Sequence, residues 1–419
     1  MLSSSITGGL AMFEKTNEIK VLRDPIHGYI HIEYQVIWDC LNSKEFQRLH
    51  RIHQLGGDFQ VYHTAEHSRF AHSLGVYEIA RRMVYENTSI SNALSEFEKI
   101  QVLCAALLHD IGHGPFSHLF EKISKKAHEQ MSIDIILSSE SEVHQALIRC
   151  DAKLPQCIAA ILRHEHEKEL MNQIISSQLD ADRMDYLLRD AYETGTSYGN
   201  FDLERILRTL RVHQNCLCIK ESGMHSVEDY IMARYHMYWQ VYLHPDAKSY
   251  EILIQMFFKR YEQIRNQEIN PIFEPLYQNE WTLEDFFLLD EYRMMVGIQE
   301  SLQSQDPILA DFAQRILNRK LFEWMEESSA QEEACILEKL QKRNLPFEYY
   351  FFESYSKSQA YLPYTENEEG SIIWVLDLKN NMFPLSEKSE IVKALLKMET
   401  KAKKESILQN KRLILVFFY

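Results

Sequence analysis

Long hydrophobic runs are missing from this 419-residue chain. No stretch approaches the roughly 18 apolar residues of a membrane-crossing helix, and the opening MLSSSITGGLAMFEKTNE has no charged region leading into an apolar core. A helical membrane span and a secretory signal are both excluded on this reading. Paired cysteines are missing too: Cys40, Cys104, Cys150, Cys157, Cys216, Cys218 and Cys335 are odd in number, scattered, and contain no C-x-x-C. Neither a disulfide framework nor a zinc-thiolate site is expected, and a reducing cytoplasm is the expected compartment. Positive charge is in short supply. Forty-five Lys and Arg face 61 Asp and Glu, a net charge of −16, which argues against a broad phosphate-neutralising surface and so against nucleic acid as a partner. A local basic pocket for one small anion stays open. Internal repeats and low-complexity linkers are absent as well.

What is present is ordinary globular composition, 45% apolar and 11% aromatic, in a chain long enough for a large core. Residues 1–19 are expected to be a flexible leader, with Met12 an alternative start, followed by a helical core over 20–318 and a smaller α+β subdomain over 319–419. KVLRDPIHGYIHIEY at 20–34 predicts a short hairpin around its Pro-Ile-His-Gly turn, and RTLRVHQNCLCIKESG at 208–223 predicts a second. Between and after them the spacing of apolar residues predicts helices over 35–55, 72–88, 96–110, 126–138, 142–150, 155–165, 174–191 and 226–244. Helices continue to about 318, with Pro271, Pro275 and Pro307 as breaks. The remainder reads β-α-β-β-α-β, a split α+β unit ending in the very apolar RLILVFFY, which should be buried or paired with another chain. The fold class expected is mainly α.

Twelve of the eighteen histidines fall between positions 50 and 166. A lone histidine is ordinarily a surface or hydrogen-bonded core residue, so the combination carries the argument. His72 in RFAHSLGV, the pair His109-Asp110 in LLHDIGHGPFSH and Asp182 in LDADRMDY are of the imidazole and carboxylate types that hold a first-row divalent cation. Adjacent residues on a helix point about 100° apart, so His109 and Asp110 need ligands from other segments, and His72 and Asp182 are the candidates. The flanking Asp180 and Asp185 cannot face the same ion at helical spacing. His113 follows His109 by four residues, as in H-E-x-x-H zinc sites, but Gly112, Gly114 and Pro115 break the helix and the Glu is lacking. His118 and His128 are placed to face the same cavity, while His164 and His166 lie in a solvent-like charge run. Arg69 and Arg183, beside His72 and Asp182, suit a phosphate or a structural salt bridge equally. Tyr238 and Tyr242, four apart in an aromatic stripe with Arg234, suit core packing or a pocket for a phosphorylated aromatic ligand.

Taken together, DPIHG at 24–28, EFQRLHRIHQLGG, RFAHSLGV, LLHDIGHGPFSHLFE, AHEQ and LDADRMDYLLRD resemble the deoxynucleoside triphosphate triphosphohydrolases of the HD-domain superfamily, over more than half of the chain. No sterile-alpha-motif segment precedes them, so a core-only member similar to the bacterial ones is expected. The resemblance implies a helical HD core and a divalent metal (Mg, Mn, Fe, Ni or Zn) held by His72, His109, Asp110 and Asp182. It implies phosphate binding by Arg69, Arg183 and Arg234, a pocket lined by Tyr186, Tyr238 and Tyr242, and Gln54 and Asp190 on the sugar 3′-hydroxyl. Leu55 and Tyr242 would crowd the 2′ position and favour deoxyribose. The expected activity is hydrolysis of dNTPs to deoxynucleoside and triphosphate, with His118 as acid and His113 and His128 positioning the triphosphate. A regulatory nucleotide site is implied at Lys20 and Val21, which match; Asn42, His50 and Arg23 depart from the family's Asp, Arg and Asn there. A homo-oligomer, as a tetramer, is expected. The alternatives are an HD-type phosphodiesterase or nucleotide monophosphatase, and a non-catalytic nucleotide-sensing or nucleic-acid-binding scaffold.

Overall fold

Several helices in this chain begin where the sequence supplies a side-chain cap. The computed structural model describes residues 13–278, 281–326, 329–355, 372–405 and 412–416. Ser95 and Glu98 form a reciprocal capping box for the helix Glu96–Leu108, Asp180 caps Ala181–Thr194, and Asp306 caps Pro307–Leu317, whose proline sits where no amide hydrogen is needed. The fold is mainly α. The helix Arg69–Glu86 lies at its centre and packs against Glu96–Leu108 on one side and Ala181–Thr194 on the other. That placement explains why Arg69–Glu86 is buried almost all round, from His72 through Val84.

Several expected helices are interrupted. The 35–55 segment is helical only over Gln35–Asn42, restarts at Lys44–Gln47 under a Ser43 cap, tightens into a 3-10 turn at Arg48–Arg51, and then runs irregularly. There the backbone of Gln54 pairs with that of His67, and Arg69 N donates to Ile52 O, so tertiary pairing overrides local propensity. The 174–191 segment divides into Glu169–Ile175 and Ala181–Thr194, because Ser177 and Asp180 bind backbone amides instead of continuing the helix. The last expected stretch is α-helical over Met224–Met237 and then widens to a π turn over Tyr238–Tyr242.

Both expected hairpins are present. Strand β1 (Lys15–Asp24) pairs antiparallel with β2 (Gly28–Tyr34), and β3 (Leu210–His213) with β4 (Cys216–Lys220). The C-terminal strands do not form a single sheet. Strand β5 (Glu323–Glu326) and β6 (Phe351–Tyr355) flank β9 (Arg412–Val416), whereas β7 (Trp374–Leu376) and β8 (Met382–Pro384) extend the β3–β4 hairpin through a parallel β4–β7 pairing. The apolar strand expected to need a partner chain is therefore central within its own sheet, and residues 417–419 of it lie outside the described residues. The leader expected over 1–19 also lies partly outside them, over 1–12, with β1 beginning at Lys15. Among the described residues, no helix is long and apolar enough to cross a membrane.

Candidate metal centre and adjoining histidines

Three helix ends bring the proposed metal ligands together. His72 lies one turn into Arg69–Glu86, His109 caps the C-terminus of Glu96–Leu108, and Asp182 is the second residue of Ala181–Thr194. Their ligand atoms all lie within 4.8 Å of one another. His72 Nε2 is 3.0 Å from Asp182 Oδ1, and His109 Nε2 is 3.7 Å from the same oxygen. Asp110 borders the group, with Oδ1 3.4 Å from His109 Nε2 and Oδ2 3.8 Å from His72 Nε2, while Oδ2 also pairs with the Arg69 guanidinium.

Each imidazole is fixed through its other nitrogen. His109 Nδ1 donates to Ala106 O at 2.9 Å, and His72 Nδ1 donates to Asp185 Oδ2 at 2.8 Å, which leaves both Nε2 atoms facing the carboxylates. Those two Nε2 atoms are buried and make no hydrogen bond of acceptable geometry. Burial raises the cost of charging Asp110 and Asp182, but the facing imidazoles, with Arg69 for Asp110, outweigh it and hold both carboxyls well below their usual range. Burial likewise opposes protonation of His72, yet Asp182 and Asp185 push its pKa up to about 10. Two imidazole nitrogens facing two ionised carboxylates, with the cation taking the place of the proton that His72 Nε2 otherwise carries, is a donor set that a first-row divalent cation fits. Among the expected acids, Asp180 caps its helix and pairs with Arg183, and Asp185 holds His72, so only Asp182 of the three faces the group.

A second cluster adjoins the first. The rings of His113 and His128 stack with centroids 3.8 Å apart, and His118 stands edge-on to both. Glu121 accepts from His118 Nδ1 at 3.0 Å and from His128 Nδ1 at 2.7 Å. Burial resists ionisation of Glu121, but these two histidines bring its pKa down to about 2. His113 Nε2 lies 3.4 Å from Asp110 Oδ1, and burial, reinforced by Arg69, holds His113 neutral. The side chain of His118 is 71% exposed, free to meet a ligand. The loop between the clusters is tight. Gly112 leaves no space for a Cβ against the backbone of His128, Met131 and Ser132, and Phe116 and Ser117 take positive φ of 64° and 54°. Arg48 binds His113 O, Glu291 accepts from Phe116 N, and Ser117 Oγ accepts from Arg69 Nε.

Arg183 donates to Ser177 O and Asp180, and Arg234 to Gln178 Oε1 at 2.8 Å while lying 5.7 Å from the Tyr238 ring. Tyr242 stands edge-on to both Tyr186 and Tyr238, and its hydroxyl donates to Asp190 Oδ2 at 2.7 Å; His67 Nε2 binds the other Asp190 oxygen at 2.8 Å. Gln54 and Leu55 are buried, with Gln54 Oε1 lacking a partner. Among the proposed regulatory residues, Lys20 and Asn42 both meet Trp38. Lys20 pairs with Glu18 and lies 5.8 Å from the Trp38 ring, Val21 is exposed, Arg23 lies over Tyr29, Asn42 bonds Trp38 O, and His50 stacks on Phe70.

Sequence reasoning missed His67, Glu121, Asp185, Arg189, Arg48 and Glu291. The i,i+4 spacing of Asp185 and Arg189 was a readable signal for one pair. The i,i+3 spacing of His118 and Glu121 was another, whereas the contacts of His67, Arg48 and Glu291 span up to 241 positions and left none.

Comparison with known proteins identifies two matching regions: the model for the HD domain matches residues 69–190, and that for the HD associated region matches 201–412. The chain is 42% identical over 391 residues to the uncharacterized protein YwfO of Bacillus subtilis, covering 91% of this chain and 90% of that one. It is 31% identical to the deoxynucleoside triphosphate triphosphohydrolase SAMHD1 homolog of Dictyostelium discoideum, covering 58% of this chain and 50% of that protein. Among solved structures, a phosphohydrolase from Bacteroides thetaiotaomicron superposes with a TM-score of 0.81 at 27% identity, covering 95% of this chain and 99% of that one.

Proposed function

This chain belongs to the HD-domain family, and from that premise we propose that it is a phosphohydrolase that splits dNTPs into deoxynucleoside and inorganic triphosphate. The observation that carries the reading is the contact between the two clusters. The metal-type group of His72, His109 and Asp182 meets the His113–His118–His128 group through Asp110, with the Arg69 guanidinium at the join. The triphosphohydrolase named among the relatives supports the choice of substrate. His72, His109, Asp110 and Asp182 would hold a divalent cation, which when bound would supply Lewis-acid chemistry.

The chain's own residues do the rest. Arg69, Arg183 and Arg234 balance phosphate charge, and His113, kept neutral, and His128 hold the triphosphate by hydrogen bonds. Water adds to the α-phosphorus and gives up a proton to solvent, the bond to the 5′-oxygen breaks, and His118 gives that oxygen its proton and is recharged from solvent, with Glu121 at Nδ1 stabilising the charged ring beforehand. Tyr186, Tyr238 and Tyr242 line the nucleoside pocket, Gln54 and Asp190 take the 3′-hydroxyl, and Leu55 with Tyr242 crowds the 2′ position. Lys20, Val21, Asn42 and His50 form the place for an activating nucleotide, and the working form is a homotetramer in the cytoplasm. Chromatography of products from single dNTPs and dNTP pairs, on protein of measured metal content, tests the reaction. Release of orthophosphate or pyrophosphate without triphosphate refutes it, as does turnover of a cyclic dinucleotide or dNMP with dNTPs inert. Sedimentation showing only monomer with and without nucleotides refutes the tetramer.

A further inference from the structure

The Asp24–Gly28 turn joining β1 to β2 is remote in sequence from every proposed metal ligand, yet its histidine is buried behind one of them. His27 Nε2 lies 2.7 Å from Asp185 Oδ1, and the other oxygen of that carboxylate receives His72 Nδ1 at 2.8 Å. Arg189 closes on Asp185 from the side, Nε to Oδ2 and Nη2 to Oδ1, each at 2.9 Å. Its remaining Nη1 reaches Asp24 Oδ2 at 2.8 Å, while Asp24 Oδ1 accepts the backbone amides of Ile26 and His27 and so shapes the turn. The side chains of His27, His72, Asp185 and Arg189 are at most 1% exposed.

We infer that Asp185 is a positioning residue of the metal centre and that the Asp24–His27 turn, through His27 and Arg189, fixes it in place; this rests on His72 being a metal ligand. A carboxylate on Nδ1 sets both the tautomer and the ring plane of a ligating imidazole, so Nε2 alone is presented to a cation. A network serving the fold alone would be expected to satisfy all its buried polar atoms. Two buried polar atoms of this network make no hydrogen bond, His27 Nδ1 and His72 Nε2, and His72 Nε2 is the one that faces Asp182 and Asp110. Space has been kept for it as well, because a side chain at Gly75 would collide with Asp185 and Arg189.

The test is titration of Mn²⁺ into the metal-stripped full chain by calorimetry, with thermal melts to establish that each variant is folded. Asp185→Asn is expected to weaken binding about 10- to 100-fold, the usual scale for a lost partner of a ligating histidine. His27→Ala is expected to weaken it as well. His27→Gln should bind as the unaltered chain does, since His27 Nδ1 has no partner and the amide nitrogen can replace Nε2. Asp182→Ala separates the two readings. If it loses the cation while a folded Asp185→Asn binds normally, the positioning inference alone is overturned. If Asp182→Ala binds as the unaltered chain does, the ligand assignment falls and takes this inference with it. Should Asp185→Asn not fold, the His27 pair decides, and normal binding by His27→Ala overturns the inference.

Discussion

Gly75→Ala is expected to be among the most damaging single-methyl changes available to this chain. Gly75 lies on the face of Arg69–Glu86 turned to Ala181–Thr194, and a Cβ there would sit 2.5 Å from Asp185 Cγ, nearer still to Asp185 Oδ1 and Arg189 Nη2. Ordinary contact begins near 3.4 Å, so the carboxylate has to move by about 1 Å or more. Four donors hold it, from His27, His72 and twice from Arg189. Losing two such charge-assisted bonds at about 1.5–3 kcal/mol each costs about 3–6 kcal/mol, against a total stability of roughly 5–15 kcal/mol for a domain. With an unfolding entropy of about 2.1 cal/mol/K per residue, cooperative melting would fall by about 3–7 °C, read by scanning calorimetry. The decisive comparison is the background. In Asp185→Ala the obstructing carboxylate is gone, the flexible end of Arg189 that still lies in the way is released from it and can shift while keeping Asp24, and alanine is the better helix former by about 1 kcal/mol. Gly75→Ala should then be neutral or stabilising, a non-additivity of several kcal/mol. Equal losses in both backgrounds would refute the reasoning.

Asp110→Ala is expected to abolish turnover, lower metal content, and leave the Arg69 guanidinium buried without its partner at a cost of about 3–5 kcal/mol; full metal occupancy with full activity would refute the metal-centre reading. His118→Ala should keep the metal and nucleotide binding while lowering the single-turnover rate about 100-fold or more, and an unchanged rate would remove it as the acid. Arg69→Ala should keep the metal and weaken dNTP affinity, the transition state, or both, as read from binding and single-turnover kinetics. Burial, with Glu251 nearby, raises the Asp58 pKa to about 7. The folded chain then keeps a proton that the unfolded chain loses near pH 4, so this group's contribution is complete below about pH 4 and declines until about pH 7. Asp58→Asn removes that dependence, and its gain in melting temperature over the unaltered chain should be larger at pH 8 than at pH 4.5; equal gains refute the assignment.

Much of the site was legible because its chemistry is carried by residue type and local spacing. An apolar run ending in His-Asp before Gly, Gly and Pro states a buried helix that stops at a loop, and His109 is the C-cap of that helix. Three aspartates at 180, 182 and 185 cannot share one ion on a helix, and they divide into a cap, a group member and a histidine partner. Both hairpins were legible from β-branched runs around turn residues. The helix interruptions at 43 and 176–180 were not, since Ser43, Ser177 and Asp180 bind backbone amides that a helical pattern would otherwise have used. The π turn at Tyr238–Tyr242 left no mark in the apolar spacing.

By itself, then, the sequence determined the helical class, the hairpins and the residue types of the candidate metal group, because periodicity, caps and side-chain chemistry act within a few residues. Tertiary structure alone decided which strands share a sheet and what stands behind each proposed ligand. Strand β7 joins β4 across more than 150 positions, and β9 enters between β5 and β6, so its backbone is paired on both edges within this chain. Asp185 reaches His27 only because Gly75 lets two helices close around a buried carboxylate, a contact fixed by packing and charge compensation at long range, which no local pattern encodes.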